Sequence, residues 1–161
     1  MQTIDLNADL GEGREQDADL MALASSVNIA CGGHAGDEAS IRRAVELAIE
    51  AQVAIGAHPG YEDPGHFGRR PMELCGAEIR GLILRQLERI MRIHPQLHHI
   101  KPHGALYNQS NQDEAMATAL VAAIAELQTD TILYCPPHGE LIKAAARIQL
   151  ATCAEGFIDR R

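Results

Sequence analysis

A chain of 161 residues with 46% apolar side chains fits one domain with a sizeable core. The apolar content is Ala, Ile, Leu and Val, with no Trp, two Phe and three Tyr, which suits helices covering a buried parallel sheet and disfavours a sandwich. Fourteen basic against 22 acidic residues give a net charge of −8, which repels a phosphate backbone and argues against a nucleic-acid partner.

Short aliphatic runs alternate along the chain with stretches of helical period, the rhythm of βα units. The first strand is expected at 3–6, leading into the polar run Asp5-Leu-Asn7-Ala-Asp9-Leu-Gly11-Glu12-Gly13, with a weak helical pattern at 15–24. A second strand at 26–30 leads into Asn28-Ile-Ala-Cys31-Gly-Gly-His34-Ala-Gly36-Asp37. Residues 37–52 read as a helix, since Ile41, Ala44, Val45, Ala48 and Ile49 recur at spacings of three and four and Asp37 is placed to cap it. A third strand at 53–57 ends in Gly56-Ala-His58-Pro59. The stretch 59–76, broken by Gly60, Pro64, Gly65, Gly68 and Pro71, is a long irregular loop of the kind that serves a site. A helix at 77–93 precedes a fourth strand at 98–101, which runs into Lys101-Pro-His103-Gly-Ala-Leu-Tyr107-Asn108. Helices at 113–127 and 140–148 and strands at 131–135 and 150–154 complete six units. No linker or repeat divides the chain, so residues 1–161 form a single domain.

No apolar run reaches the length of a signal core or a membrane span, so the expected compartment is the cytoplasm, without membrane attachment. Four cysteines without a CxxC pair read as reduced thiols in keeping with that.

The unusual side chains each sit at or just past the carboxyl end of an expected strand, and in parallel α/β folds those loops converge on one rim. His34, His58 and His103 with Asp9 can there hold a divalent metal or move protons, because neutral imidazole and carboxylate serve as both ligands and bases near neutral pH. One His alone carries little weight. His94, His98 and His99 are expected on the opposite rim, while His66 and His138 fit either reading. Asp5 and Asn7 lie in a strand expected to be buried, where a carboxylate must be paired or functional; turn chemistry is the alternative. Lys101 can bind an anion or pair with an acid from the first strand. The glycines at 11, 13, 32, 33 and 36 form neither a GxxxxGK[ST] nor a GxGxxG motif, and there is no GxSxG elbow.

Taken in order, DLNADLGEG from Asp5, NIACGGHAGD from Asn28, AIGAHPGYEDPGHFGRR from Ala54 and KPHGALYN from Lys101 resemble the 5-oxoprolinase A-subunit family, also called the LamB/YcsF lactam-utilisation family, along the whole chain. The resemblance implies an α/β fold, a (β/α) barrel of the glycoside hydrolase/deacetylase type. It also implies a hydrolase that works with partner subunits B and C to open the small-molecule lactam 5-oxo-L-proline to glutamate, with ATP as co-substrate. Family members run on further, so an incomplete barrel of about six βα units is expected, lacking the C-terminal part of the family domain; a homo-oligomer is compatible with it. In a mechanism built on these residues, Asp5, Asp9, His34, His58, Lys101 and His103 are the candidate catalytic set; Asp9, His58 and His103 would hold a divalent metal, as one acid and two His do in similar deacetylase-like barrels, or polarise the carbonyl, and His34 or Asp5 would activate water. Asn7, Asn28, Arg69, Tyr107 and Asn108 face the substrate, and Lys101 or Arg69 meets its carboxylate or a phosphate. Two other readings stay open: a metal-dependent deacetylase or amidohydrolase without ATP, and a non-catalytic binding protein that presents 5-oxoproline to its partners.

Overall fold

The computed structural model describes residues 4–14 and 16–158. Residues 1–3, 15 and 159–161, on which parts of the expected first strand, first helix and chain end fall, lie outside the described residues. Six parallel strands stand in sequential order, β1 (Asn7–Leu10), β2 (Ser26–Ala30), β3 (Ala54–His58), β4 (His99–Ile100), β5 (Ile132–Cys135) and β6 (Thr152–Ala154). Helices α1 (Asp17–Met21), α2 (Glu38–Glu50), α3 (Gly76–Met91), α4 (Gly104–Gln112), α5 (Glu114–Ala125) and α6 (Glu140–Arg147) form the crossovers, an incomplete (β/α) barrel. Among the described residues, no helix is long and apolar enough to cross a membrane.

The strands alternate with period two, but in the reverse of the usual sense. The outer residues Leu10, Val27, Ile29, Ile55, Ala57, Ile100 and Leu133 are apolar and pack under the helices in one core. The opposite positions, Asn7, Asp9, Ser26, Asn28, His58, His99 and Tyr134, are mostly polar and line the concave face. Buried polar groups need partners, and these find one another. Asn7 Nδ2 donates to Ser26 Oγ (2.7 Å), Asn28 Nδ2 donates to Asp9 (2.7 Å), and His99 Nε2 donates to Asn28 Oδ1 (2.6 Å). His99 also stacks on Tyr134, with ring centroids 4.1 Å apart. Gly56 is the gap that admits this ring, since a Cβ there would lie 2.2 Å from His99 Nε2.

Two expectations change, and one helix is added where none was expected. The first strand runs over 7–10 rather than 3–6, because its polar inward positions hide the alternation, and Asp5 precedes it and is exposed. His99 belongs to the interior rather than to the opposite rim. Helix α4 begins directly after His103, in a stretch whose composition suggests a loop. Its sequence GALYNQSNQ is poor in strong helix formers, and packing of Ala105, Leu106, Tyr107 and Ser110 holds it in place. Elsewhere the caps behave as read: Asp37 accepts from Ser40 N at 2.8 Å while its own amide donates to Ser40 Oγ at 2.7 Å.

Burial, with His98 beside it, pushes the His99 imidazole from its ordinary 6.5 down to about 3. The unfolded chain takes up a proton there that the native chain refuses. This stabilising contribution is therefore complete above pH 6.5 and is lost progressively as pH falls toward 3. Urea midpoints measured from about pH 7 down to about pH 4 should fall less steeply in His99→Gln than in the wild type. Equal slopes would contradict this account.

Candidate metal centre and adjoining cavity

Each of the first four strands delivers one donor to the same rim. Glu12 follows β1, His34 lies in the loop after β2, His58 ends β3 and His103 follows β4. One ligand atom from each of the four lies within 4.8 Å of the others. The rings are crowded: His34 stacks on His103 at a centroid distance of 3.7 Å and an interplanar angle of 7°. Gly68, with φ +59°, closes over them, and a Cβ there would come within 2.7 Å of His34 Cβ.

Backbone carbonyls settle the tautomers. His58 Nδ1 lies 2.6 Å from Lys101 O and His103 Nε2 lies 2.9 Å from Phe67 O. A carbonyl can only accept, so both of these nitrogens carry the proton and donate. In the neutral rings the other nitrogen, His58 Nε2 or His103 Nδ1, holds a lone pair, and these two face each other at 3.0 Å. Two lone pairs at that distance repel unless a cation sits between them. Burial, reinforced by His58 and His34, pushes His103 down to about 3, so His103 itself is a poor site for a proton. His34 points the same way: its side chain is fully buried, neither ring nitrogen makes a hydrogen bond, and Nε2 stands 3.4 Å from Glu12 Oε1. Burial also lowers the His34 pKa. For Glu12, burial opposes ionisation, but the His34 and His58 imidazoles outweigh it and hold the carboxyl below its usual range. Lowered His34 and His103 pKa values with an ionised Glu12 carboxylate suit a divalent cation, which needs unprotonated ligand atoms, and the orphaned His34 nitrogens fit such an ion.

Beside the cluster opens a cavity of about 450 Å³ lined by Asp9, His58, Arg69, Lys101, His103, Tyr107, Asn108 and Phe157. Asp9 Oδ2 lies 3.4 Å from His58 Nε2. Burial opposes its charge, but His58, Lys101 and Asn28 hold the carboxyl well below the usual carboxylate range. Lys101 Nζ is shared between Asp9 Oδ1 (3.3 Å) and Glu155 Oε2 (3.1 Å), so its charge is largely spent within the protein. Arg69 rests over the Phe67 ring, with Cζ 5.2 Å from the centroid. It is exposed and makes no ion pair among the described residues.

The residues read from the sequence thus divide. Asp9, His34, His58, Lys101, His103, Arg69, Tyr107 and Asn108 meet at one rim. Asp5 does not: it sits at the other end of β1, its carboxylate taken by Ser25, Ser26 and Tyr134. Asn28 is completely buried and spends its amide on Asp9, Asn7 and His99, so it supports Asp9 instead of reaching a ligand. Asn7 lies in the same layer. His66 pairs with Asp63 on the exposed loop. Glu12 and Glu155 join the site, and both obey the strand-end rule that identified the others.

Residues 4–161 match the model of the LamB/YcsF family. Among curated relatives, the 5-oxoprolinase A-subunit of Methylococcus capsulatus is 46% identical over 169 residues, covering 99% of this chain and 65% of the relative. That of Heliobacterium modesticaldum is 42% identical over 166 residues, covering 98% and 65%. This chain therefore spans somewhat less than two thirds of their length. The crystal structure of a lactam utilization protein from Thermus thermophilus matches with a TM-score of 0.96 and 36% identity, over 99% of this chain and 68% of that one.

Lys101→Met strands two carboxylates against each other and should cost on the order of 2 kcal/mol, less than for a fully buried pair because Asp9 is open on one side. The double variant Lys101→Met/Glu155→Gln should recover part of it. Urea unfolding at neutral pH decides, and an unchanged midpoint in the single variant would remove Lys101 from its bridging role.

Proposed function

The chain belongs to the LamB/YcsF family, and from that premise we propose that it carries the lactam-binding centre of a 5-oxoprolinase, holding 5-oxo-L-proline in the rim cavity for ATP-coupled opening to glutamate. The names of the relatives, each designated one lettered subunit of a 5-oxoprolinase, support a multi-subunit enzyme. The absence of a P-loop motif from this sequence is in keeping with a nucleotide held by partner subunits B and C. Four free cysteines suit the reducing cytoplasm. The observation that carries the proposal is the pair of facing imidazole nitrogens 3.0 Å apart, opening onto a cavity that also presents the Arg69 guanidinium, which makes no ion pair among the described residues.

Amide resonance makes the lactam carbonyl a poor electrophile. Phosphorylation of its oxygen by ATP, releasing ADP, makes the carbon attackable by water; the ring C–N bond then breaks with the nitrogen taking up the water's proton, and a second water hydrolyses the resulting acyl phosphate to glutamate and phosphate. Arg69 takes the substrate carboxylate through its planar fork. Asp9, held ionised, accepts a hydrogen bond from the attacking water on its open edge; its low proton affinity makes it an orienting group rather than a proton sink. Lys101, fixed by Asp9 and Glu155, presents a donor to the lactam from the cavity wall. A divalent cation held by Glu12, His34, His58 and His103 would supply Lewis acidity toward a carbonyl or phosphoryl oxygen. Asp9, expected from the sequence as a ligand, acts in this arrangement as the carboxylate beside a ligand, His58. The donor set by itself also favours a second reading, an amidohydrolase that needs metal and no ATP.

One reconstitution with the partner subunits, following glutamate and ADP together, separates the readings. Equal amounts of both products are expected, and Arg69→Ala should raise KM for 5-oxo-L-proline more than about tenfold with a smaller change in kcat. An unchanged KM would put the substrate elsewhere, and glutamate without ADP would favour the ATP-independent hydrolase.

A further inference from the structure

We infer that Gln86, in the middle of α3 and remote in sequence from every donor, is a positioning residue for the Glu12/His34/His58/His103 centre; the inference rests on the metal reading given above. Gln86 occupies the apolar stripe of its helix between Ile83 and Leu87 and is 1% exposed. A polar side chain in that place must be satisfied by something, and its partner is a single residue of the rim. Its Nε2 donates to Gly60 O at 2.7 Å, and Gly60 N donates back to its Oε1 at 3.1 Å. The side-chain amide thus grips Gly60 on both backbone groups, as a neighbouring strand would.

Gly60 is pressed against the centre. A Cβ on it would stand 2.7 Å from His34 Nδ1 and 3.1 Å from His103 Cβ. The adjoining Pro59 O accepts the backbone amide of His103 at 2.8 Å. Gln86 also borders the loop that carries His34, since a Cβ on Gly33 would fall 2.5 Å from its Oε1. One turn along the same face of α3, Arg89 donates to Cys31 O at 3.0 Å. The helix therefore holds the loops after β2 and β3 at a fixed separation, and that separation sets how His34 stacks on His103. Supporting groups of this kind around a metal site typically contribute about 10- to 100-fold in affinity.

A buried Gln that only fills space and satisfies hydrogen bonds would change stability alone, so the test reads cation binding. Cobalt(II) is titrated into the wild type, Gln86→Met, Gln86→Glu and the core control Ile124→Val, recording affinity and visible absorption at a temperature where each is folded. Glu12→Gln serves as the loss reference. Gln86→Met, which keeps the length and loses both hydrogen bonds, should bind cobalt(II) at least about tenfold more weakly with an altered spectrum, while Ile124→Val stays within about twofold. Gln86→Glu keeps the acceptor for the Gly60 amide and should lie between; it carries the test if Gln86→Met does not fold. Wild-type affinity and spectrum in a folded Gln86 variant would overturn the inference and leave the centre standing. No cobalt(II) binding by the wild type would overturn the centre itself, and the inference with it.

Discussion

The carbonyls of Lys101 and Phe67 each take the outer N–H of an imidazole, and the rim chemistry depends on those two hydrogen bonds. Because a carbonyl oxygen can only accept, each outer nitrogen carries a proton, and in the neutral rings the inner nitrogens of His58 and His103 hold lone pairs turned toward one another. Such an arrangement is unfavourable in isolation. It becomes favourable when a cation occupies the space between the rings, with the neutral His34 and the ionised Glu12 completing the donor set.

The strands are patterned to hold this rim. In a barrel with an apolar interior, the inward positions contribute packing; here they contribute a hydrogen-bonded layer that runs from His99 through Asn28 to Asp9. Each member satisfies the next, so the carboxylate beside His58 is fixed in direction and kept ionised without being closed off from the cavity. The apolar energy comes from the other face, where Val27, Ile29, Ile55, Ile100 and Leu133 pack beneath the helices. Stability and chemistry are thereby assigned to opposite sides of the same strands.

This division explains what the sequence discloses. Five of the six strands lie close to where aliphatic runs place them, and convergence of strand ends is sufficient to bring Asp9, His34, His58 and His103 together. The first strand is displaced because Asn7 and Asp9 make its pattern look like a turn. Asp5, two residues before that strand, consequently falls at the wrong end of the barrel. Helix α4 is hidden by a run of Asn, Gln and Ser whose helicity is imposed by tertiary packing. Glu12 and Glu155 sit where the strand-end rule would find them, but an acid among many acids carries no signal of its own. Gln86 offers a fainter clue, a lone polar residue on an otherwise apolar helical stripe, and only its distance to Gly60 reveals what it holds.

The central claim is a statement about protons on two rings, and long-range proton–nitrogen NMR of histidine-labelled protein reads it directly. Without added metal, His58 should be protonated at Nδ1 and His103 at Nε2, and addition of zinc(II) should perturb His58 Nε2 and His103 Nδ1 while the outer nitrogens keep their protons. Opposite tautomers, or rings that ignore zinc(II), would contradict the account.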